Sequence, residues 1–188
     1  MYELENVEDI YWKPLEAHLE GLSERGVVER FDAVGSFRRR EATVGDLDVI
    51  VKQTEGTEEN ELRRGLTEWD QCDSLLTPDD SNLWKMSAEP EGIFVDFCLT
   101  EEPQSYGSFL HYLTGDIHHY SLLREYADSR GYIVNKYGVF EKDGFDEEGF
   151  PVKGEKVGGE NEEDIYGIFG LPVPEPSERD AEWIDKHF

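Results

Sequence analysis

The chain has 188 residues, and its 44 acidic side chains against 18 basic ones leave a formal net charge of -26. The length allows one ordinary domain, or one with a small appendage sharing its core, and the aromatic content of 12% is too high for a disordered chain. No apolar run approaches a membrane span, Met1–Asn6 lacks the features of a secretory signal, and Cys72 and Cys98 form no disulfide or zinc pattern, so a cytoplasmic protein is expected.

Acidity of this order has two explanations. One is adaptation to a salt-rich cytoplasm, because at roughly 1 M salt the Debye length falls to about 3 Å and a carboxylate-covered surface no longer repels itself. The other is mimicry of nucleic acid, or a basic protein partner. The acids are dispersed along the whole chain, which favours the saline explanation.

In chain order, Ile10, Tyr11, Leu15, Leu19 and Leu22 lie close to helical spacing and predict an amphipathic helix over Val7–Arg25, ended by Gly26. Val27–Val34 reads as a strand running into Gly35-Ser36, and Asp46–Val51 reads as a strand within a sheet. Gln53–Glu61 is turn-like, and a second helix is expected over Leu62–Leu76. Leu83–Met86 and Ile93–Leu99 read as a hairpin across Glu89-Pro90-Glu91-Gly92, completing a mixed sheet. The pattern changes near Pro103. Ser105–Leu113 and Ile117–Arg130 are predicted helices divided by Gly115, with Asp116 placed to cap the second. Tyr132–Val134 and Tyr137–Phe140 are expected to pair with the neighbourhood of Val152, across a loop at Lys142–Gly149. Asn161 followed three residues later by Asp164 marks the start of a last helix through Ile165 and Phe169.

The stretch that carries chemistry is Gly35-Ser36-Phe37-Arg38-Arg39-Arg40, followed by Gly45-Asp46-Leu47-Asp48. Residues two apart in a strand share a face, so Asp46 and Asp48 would present two carboxylates to one point, where they repel unless a cation lies between them. Oxygen-only ligands suit magnesium. Gly35 and Ser36 offer backbone N–H groups and a hydroxyl to phosphate oxygens, with Arg39 near enough in sequence to assist. A second metal, about 3.5–4 Å from the first, needs a third acid. Asp96 is the candidate, because a lone acid in the apolar run Ile93–Phe97 would be costly without a partner. Taken singly, an Asp-x-Asp in an acidic chain is ordinarily a solvated edge, Gly-Ser a turn and an arginine run surface charge. Their order and separation favour the joint reading.

These segments resemble the DNA polymerase X family, the DNA polymerase beta-like branch of the nucleotidyltransferases. The resemblance runs through Gly35–Arg39 and Thr43–Asp48, then Val95-Asp96, Tyr112-Leu113-Thr114-Gly115, Asn135-Lys136-Tyr137-Gly138, Glu162–Tyr166 and Gly170-Leu171-Pro172. It implies an α+β fold: a nucleotidyltransferase palm, a mixed β-sheet with helices packed on it, over residues 1–102, then a small α/β polymerase-type thumb over residues 103–188. It implies that Asp46 and Asp48 bridge two Mg2+ ions, for which Mn2+ can substitute, and that Asp96 binds the catalytic ion and accepts the proton of the primer 3′ hydroxyl. Gly35, Ser36, Arg39 and Gly45 would hold the triphosphate, Tyr112, Leu113 and Gly115 the incoming nucleotide, and Arg124, Lys136 and Tyr137 the DNA. The implied partners of this monomer are nucleoside triphosphates and primer-template or gapped DNA. The implied function is short gap filling in DNA repair with release of pyrophosphate.

The sequence also departs from the family. The lyase and helix-hairpin-helix regions of larger members are absent, so no deoxyribose-phosphate lyase activity is expected. The first arginine is Arg25, where members carry an earlier phosphate-binding one, and Leu113, Asp116 and Tyr120 replace residues that bear on base and sugar choice. Two other readings are a template-independent nucleotidyltransferase acting on RNA ends, a protein or a small molecule, and a non-enzymatic acidic decoy. The thumb motifs weigh against the first and the phosphate loop against the second. His111, His118 and His119, and the four tryptophans, are expected to pack rather than ligate or stack on bases.

Overall fold

Val7, Tyr11, Leu15, Leu19 and Leu22 fall along one side of a helical segment, and all five are buried. In the computed structural model this segment runs through α1 (Leu4–Asn6), a π-helical stretch Val7–Trp12 and α2 (Lys13–Glu24). The wider turns precede Pro14, which lacks an N–H to donate and sits where a helix start tolerates it. The structure describes residues 1–76, 83–100 and 102–187; Glu101, beside the expected domain boundary, and Phe188, the expected last thumb residue, lie outside them.

The chain divides into two units, Met1–Glu101 and Glu102–Phe188. In the first, β1 (Tyr2–Glu3) pairs with β3 (Thr43–Val44), and β2 (Val28–Ala33) leads into the short helix α3 (Gly35–Arg38). The main sheet has the order β2-β4-β7-β6-β5, with β4 (Leu47–Gln53), β5 (Cys72–Leu75), β6 (Leu83–Ala88) and β7 (Ile93–Leu99). Only β4 and β7 run parallel among these neighbours, so the sheet is mixed. The α2 leucines join Val49, Val51, Trp84, Val95 and Phe97 in one apolar core. Each fully buried leucine contributes about 1.5–3 kcal/mol relative to exposure.

The helix expected over Leu62–Leu76 is corrected here. Helix α4 spans only Glu59–Thr67, and Cys72–Leu75 is the edge strand β5. Leu62 and Leu66, one turn apart, supply its buried face. A Cβ at Gly65 would stand 2.8 Å from Leu22 Cδ2, so the missing side chain lets α4 and α2 approach. Beyond Trp69 the backbone finds its partners on β6, a long-range pairing that local spacing does not announce.

The second unit contains α5 (Tyr106–Thr114), α6 (Ile117–Ser129), the antiparallel sheet of β8 (Tyr132–Asn135), β9 (Gly138–Phe145) and β10 (Pro151–Gly158), α7 (Glu162–Gly167) and α8 (Ala181–His187). Asp116 caps α6 by accepting from the N–H groups of His118 at 2.6 Å and His119 at 3.4 Å. Asn161 and Asp164 form a reciprocal capping box on α7. The loop expected over Lys142–Gly149 is shorter, because β9 continues to Phe145 and Asp146 closes the turn by accepting from the N–H groups of Glu148 and Phe150. Leu123, Ala127, Val134, Val139 and Ile165 form a separate core. The architecture is α+β, a mixed sheet with helices packed on it followed by a smaller α/β unit.

His111 and His119 are buried, and both meet the Tyr166 hydroxyl, at 2.7 and 2.9 Å. Burial holds the His119 imidazole below its ordinary value, with Arg179 adding to the effect, while the Asp180 carbonyl, Asp116 and the Asp180 carboxylate oppose it. As pH falls below about 6.5 the unfolded chain takes up this proton and the folded one does not, so stability is lost toward acid pH. The second unit's resistance to urea, followed by Trp183 fluorescence, is therefore expected to fall between pH 7.5 and pH 5, and His119→Gln to flatten that slope; an unchanged slope would show that His119 is not the group responsible.

Candidate active site

Strands β4 and β7 lie side by side with Asp48 opposite Asp96, so both carboxylates leave the same face of the sheet. Asp46 stands just ahead of β4, two residues from Asp48. Carboxylate oxygens of the three, one from each, lie within 4.8 Å of one another. Asp96 is only 8% exposed, and its Oδ1 is buried without a hydrogen-bond partner. Burial, reinforced by Asp46 and then Asp96, pushes the Asp48 carboxyl up to about 6, against the opposing charges of Lys85 and Arg39. Crowded like charges, an orphaned buried oxygen and an all-oxygen donor set fit a divalent cation.

Gly35 closes the other side of Asp48. Val34 is extended and donates its N–H to the Asp48 carbonyl at 2.9 Å, which ties the end of β2 to β4. Gly35 then turns into α3 at φ +62°, and a Cβ there would stand 2.5 Å from Asp48 Oδ2. Only glycine satisfies both demands. Gly35→Ala is expected to displace the carboxylate by about 1 Å, enough to disturb a metal seat built on it. A Mn2+ titration should show weaker binding in that variant, and unchanged binding would remove Gly35 from the site.

Ser36 and Arg39 are half-buried on and just after α3, and the Arg39 guanidinium pairs with Glu41, Nε to Oε1 at 2.9 Å. Gly45 is exposed in the turn before Asp46. Lys85, on β6, stands opposite Asp96, its Nζ 3.0 Å from Oδ2. Sequence reasoning did not single out Lys85. The signal was present in the expected hairpin, since counting outward from Glu89–Gly92 pairs Lys85 with Asp96.

In the second unit, Tyr112 is 44% exposed on α5, its ring stacked on Phe109 at 6.4 Å between centroids and edge-on to Tyr120 at 5.3 Å. Arg124 lies over Tyr120 at 5.8 Å. Lys136 lies over Phe109 at 5.7 Å and over Tyr137 at 4.9 Å. The structure thus links Tyr112, Arg124, Lys136 and Tyr137 in one row, in which the rings of Tyr120, Tyr112 and Phe109 lie between the cations of Arg124 and Lys136 and Tyr137 lies beyond. Leu113 and Gly115 are half-buried at the end of α5. Burial pushes the Tyr120 hydroxyl up to about 12, so this residue is a neutral phenol in the row.

Residues 109–180 match the DNA polymerase beta thumb. The chain is also 30% identical, over 162 residues, to the DNA polymerase/3'-5' exonuclease PolX of Bacillus subtilis (strain 168). That match reaches back across the three aspartates as well as the thumb segment. Both matches support a DNA polymerase X family member. The match to the Bacillus protein covers 86% of this chain but only 26% of that protein, so the chain spans about a quarter of its relative's length. No helix among the described residues is long and apolar enough to cross a membrane.

Proposed function

We propose that the chain is a nucleotidyltransferase that extends a DNA 3′ end on a template, with residues 1–102 as its palm and residues 103–188 as its thumb. The observation that carries this reading is the convergence of Asp46, Asp48 and Asp96 around a buried, unpartnered Asp96 oxygen. Bound Mg2+ or Mn2+ would neutralise phosphate charge and align the attacking hydroxyl. The chain's own residues do the rest. Asp46 and Asp48 hold the metals, while Gly35, Ser36, Arg39 and Gly45 receive the triphosphate. Asp96 takes the proton as the primer O3′ forms its bond to the α-phosphorus and the bond to pyrophosphate breaks. Tyr112, Leu113 and Gly115 face the nucleotide, and Arg124, Lys136 and Tyr137 support the DNA, with ring stacking and local cations replacing the broad basic surface that a net charge of -26 denies it. Short-gap filling in a saline cytoplasm fits this set of parts.

Extension of a labelled primer opposite a short gap tests the reading, with each deoxy- and ribonucleoside triphosphate, Mg2+ or Mn2+, and a range of salt. Templated addition that disappears in Asp48→Ala supports it. Untemplated addition would move the chain to the template-independent class, and inactivity under every condition would leave the carboxylates as surface charge. Activity lost in molar potassium chloride would overturn the saline interpretation.

A further inference from the structure

Lys85 is the one lysine that touches the carboxylate triad among the described residues. It reaches Asp96 across a β-rung rather than along a flexible loop, so the two side chains rise from one face of paired strands. Its ammonium takes Oδ2 and leaves Oδ1 unmatched. The Asp96 side chain is 12% exposed against 37% for Lys85, so the carboxylate is fixed while the amine has room to withdraw. A second seat is in place, since Lys85 Nζ already lies 4.8 Å from the centre of the Phe94 ring, two residues before Asp96 on the same face and 43% exposed. Cation–ring contact there would keep part of its stabilisation once the carboxylate is given up.

We infer that Lys85 is an internal counterion that competes with the metal for Asp96, shifting toward Phe94 when a divalent cation takes the carboxylate and thereby limiting metal affinity. This rests on the metal reading of the triad. A monovalent charge cannot balance three converging carboxylates, so a divalent ion wins the exchange, but a positive charge a few ångströms from its seat opposes it. The plain alternative is a surface ion pair of little energetic weight, which would leave metal binding indifferent to Lys85.

Mn2+ titration of the full chain, followed by loss of the free-ion electron paramagnetic resonance signal, separates these. Lys85→Met should bind Mn2+ at least about tenfold more tightly than the native chain, while Lys85→Arg, which keeps the charge, should bind within about twofold of it. The gain should vanish in an Asp96→Asn background. Circular dichroism on each variant, with Lys85→Gln as a second neutral replacement, checks that the fold persists. Equal affinity of the native chain and both neutral variants, with binding still lost in Asp48→Asn, would overturn the counterion role and leave the metal site standing. Absence of any Asp48-dependent binding in all of them would overturn both.

Discussion

Replacing Asp48 with asparagine is expected to reduce nucleotide incorporation by at least about 10^3-fold, the several kcal/mol of charge stabilisation that a correctly seated cation supplies. The same change should make the metal-free protein more stable. Asp48 is crowded by Asp46 and Asp96 in a buried setting that pushes its carboxyl up to about 6. For a group whose folded value is raised, stability is fully present below the unfolded carboxylate value near 4 and is lost as pH rises through the folded value. At pH 7.5 the native chain bears the whole cost, up to about 3 kcal/mol for a shift of roughly two units. Urea unfolding in a chelator should therefore show Asp48→Asn ahead at pH 7.5 and level with the native protein near pH 4. Such a gain paired with lost activity is what a site poised for a ligand predicts. A variant less stable at pH 7.5 would mean that the carboxylate serves the fold instead.

The largest loss of stability is expected from Arg179→Met. Arg179 Nη1 lies 2.8 Å from Glu162 Oε1, and the two side chains are 1% and 9% exposed. The contact is electrostatic, since Nη1 does not align an N–H on its partner. Removing the arginine takes the paired cation away from a carboxylate buried at the start of α7, at a cost of about 3–5 kcal/mol. Replacing both residues, by Arg179→Met with Glu162→Gln, should recover much of that cost, because neither charge is then stranded. Fluorescence of Trp183, which packs edge-on to Tyr166 at 5.7 Å, would follow unfolding of this unit. A single-variant loss under about 1 kcal/mol would mean that Glu162 is satisfied by its other neighbours.

Much of this is legible in the sequence. The α2 face, the hairpin of β6 and β7, the Asp116 cap and the Asn161–Asp164 box are written in spacings of two to four residues, which local geometry converts directly into structure. Cys72–Leu75 was not legible as a strand, because an edge strand is defined by the neighbour that accepts its backbone bonds. The roles of His111 and His119 were equally hidden. Eight positions apart on two helices, their rings lie 6.2 Å apart and share the hydroxyl of Tyr166, which arrives from α7.

For the candidate site the division is sharper. The sequence alone specified Asp46 and Asp48 two residues apart, glycine where the chain leaves β2, and an acid stranded in an apolar strand. Tertiary structure decided that Asp96 stands beside Asp48, that one of its oxygens goes unmatched, and that Lys85 rather than solvent meets the other. Charges within one strand are related by the fixed rise of the backbone, whereas charges on different strands meet only after the sheet chooses its order, and that choice is made by burial of the apolar faces around them.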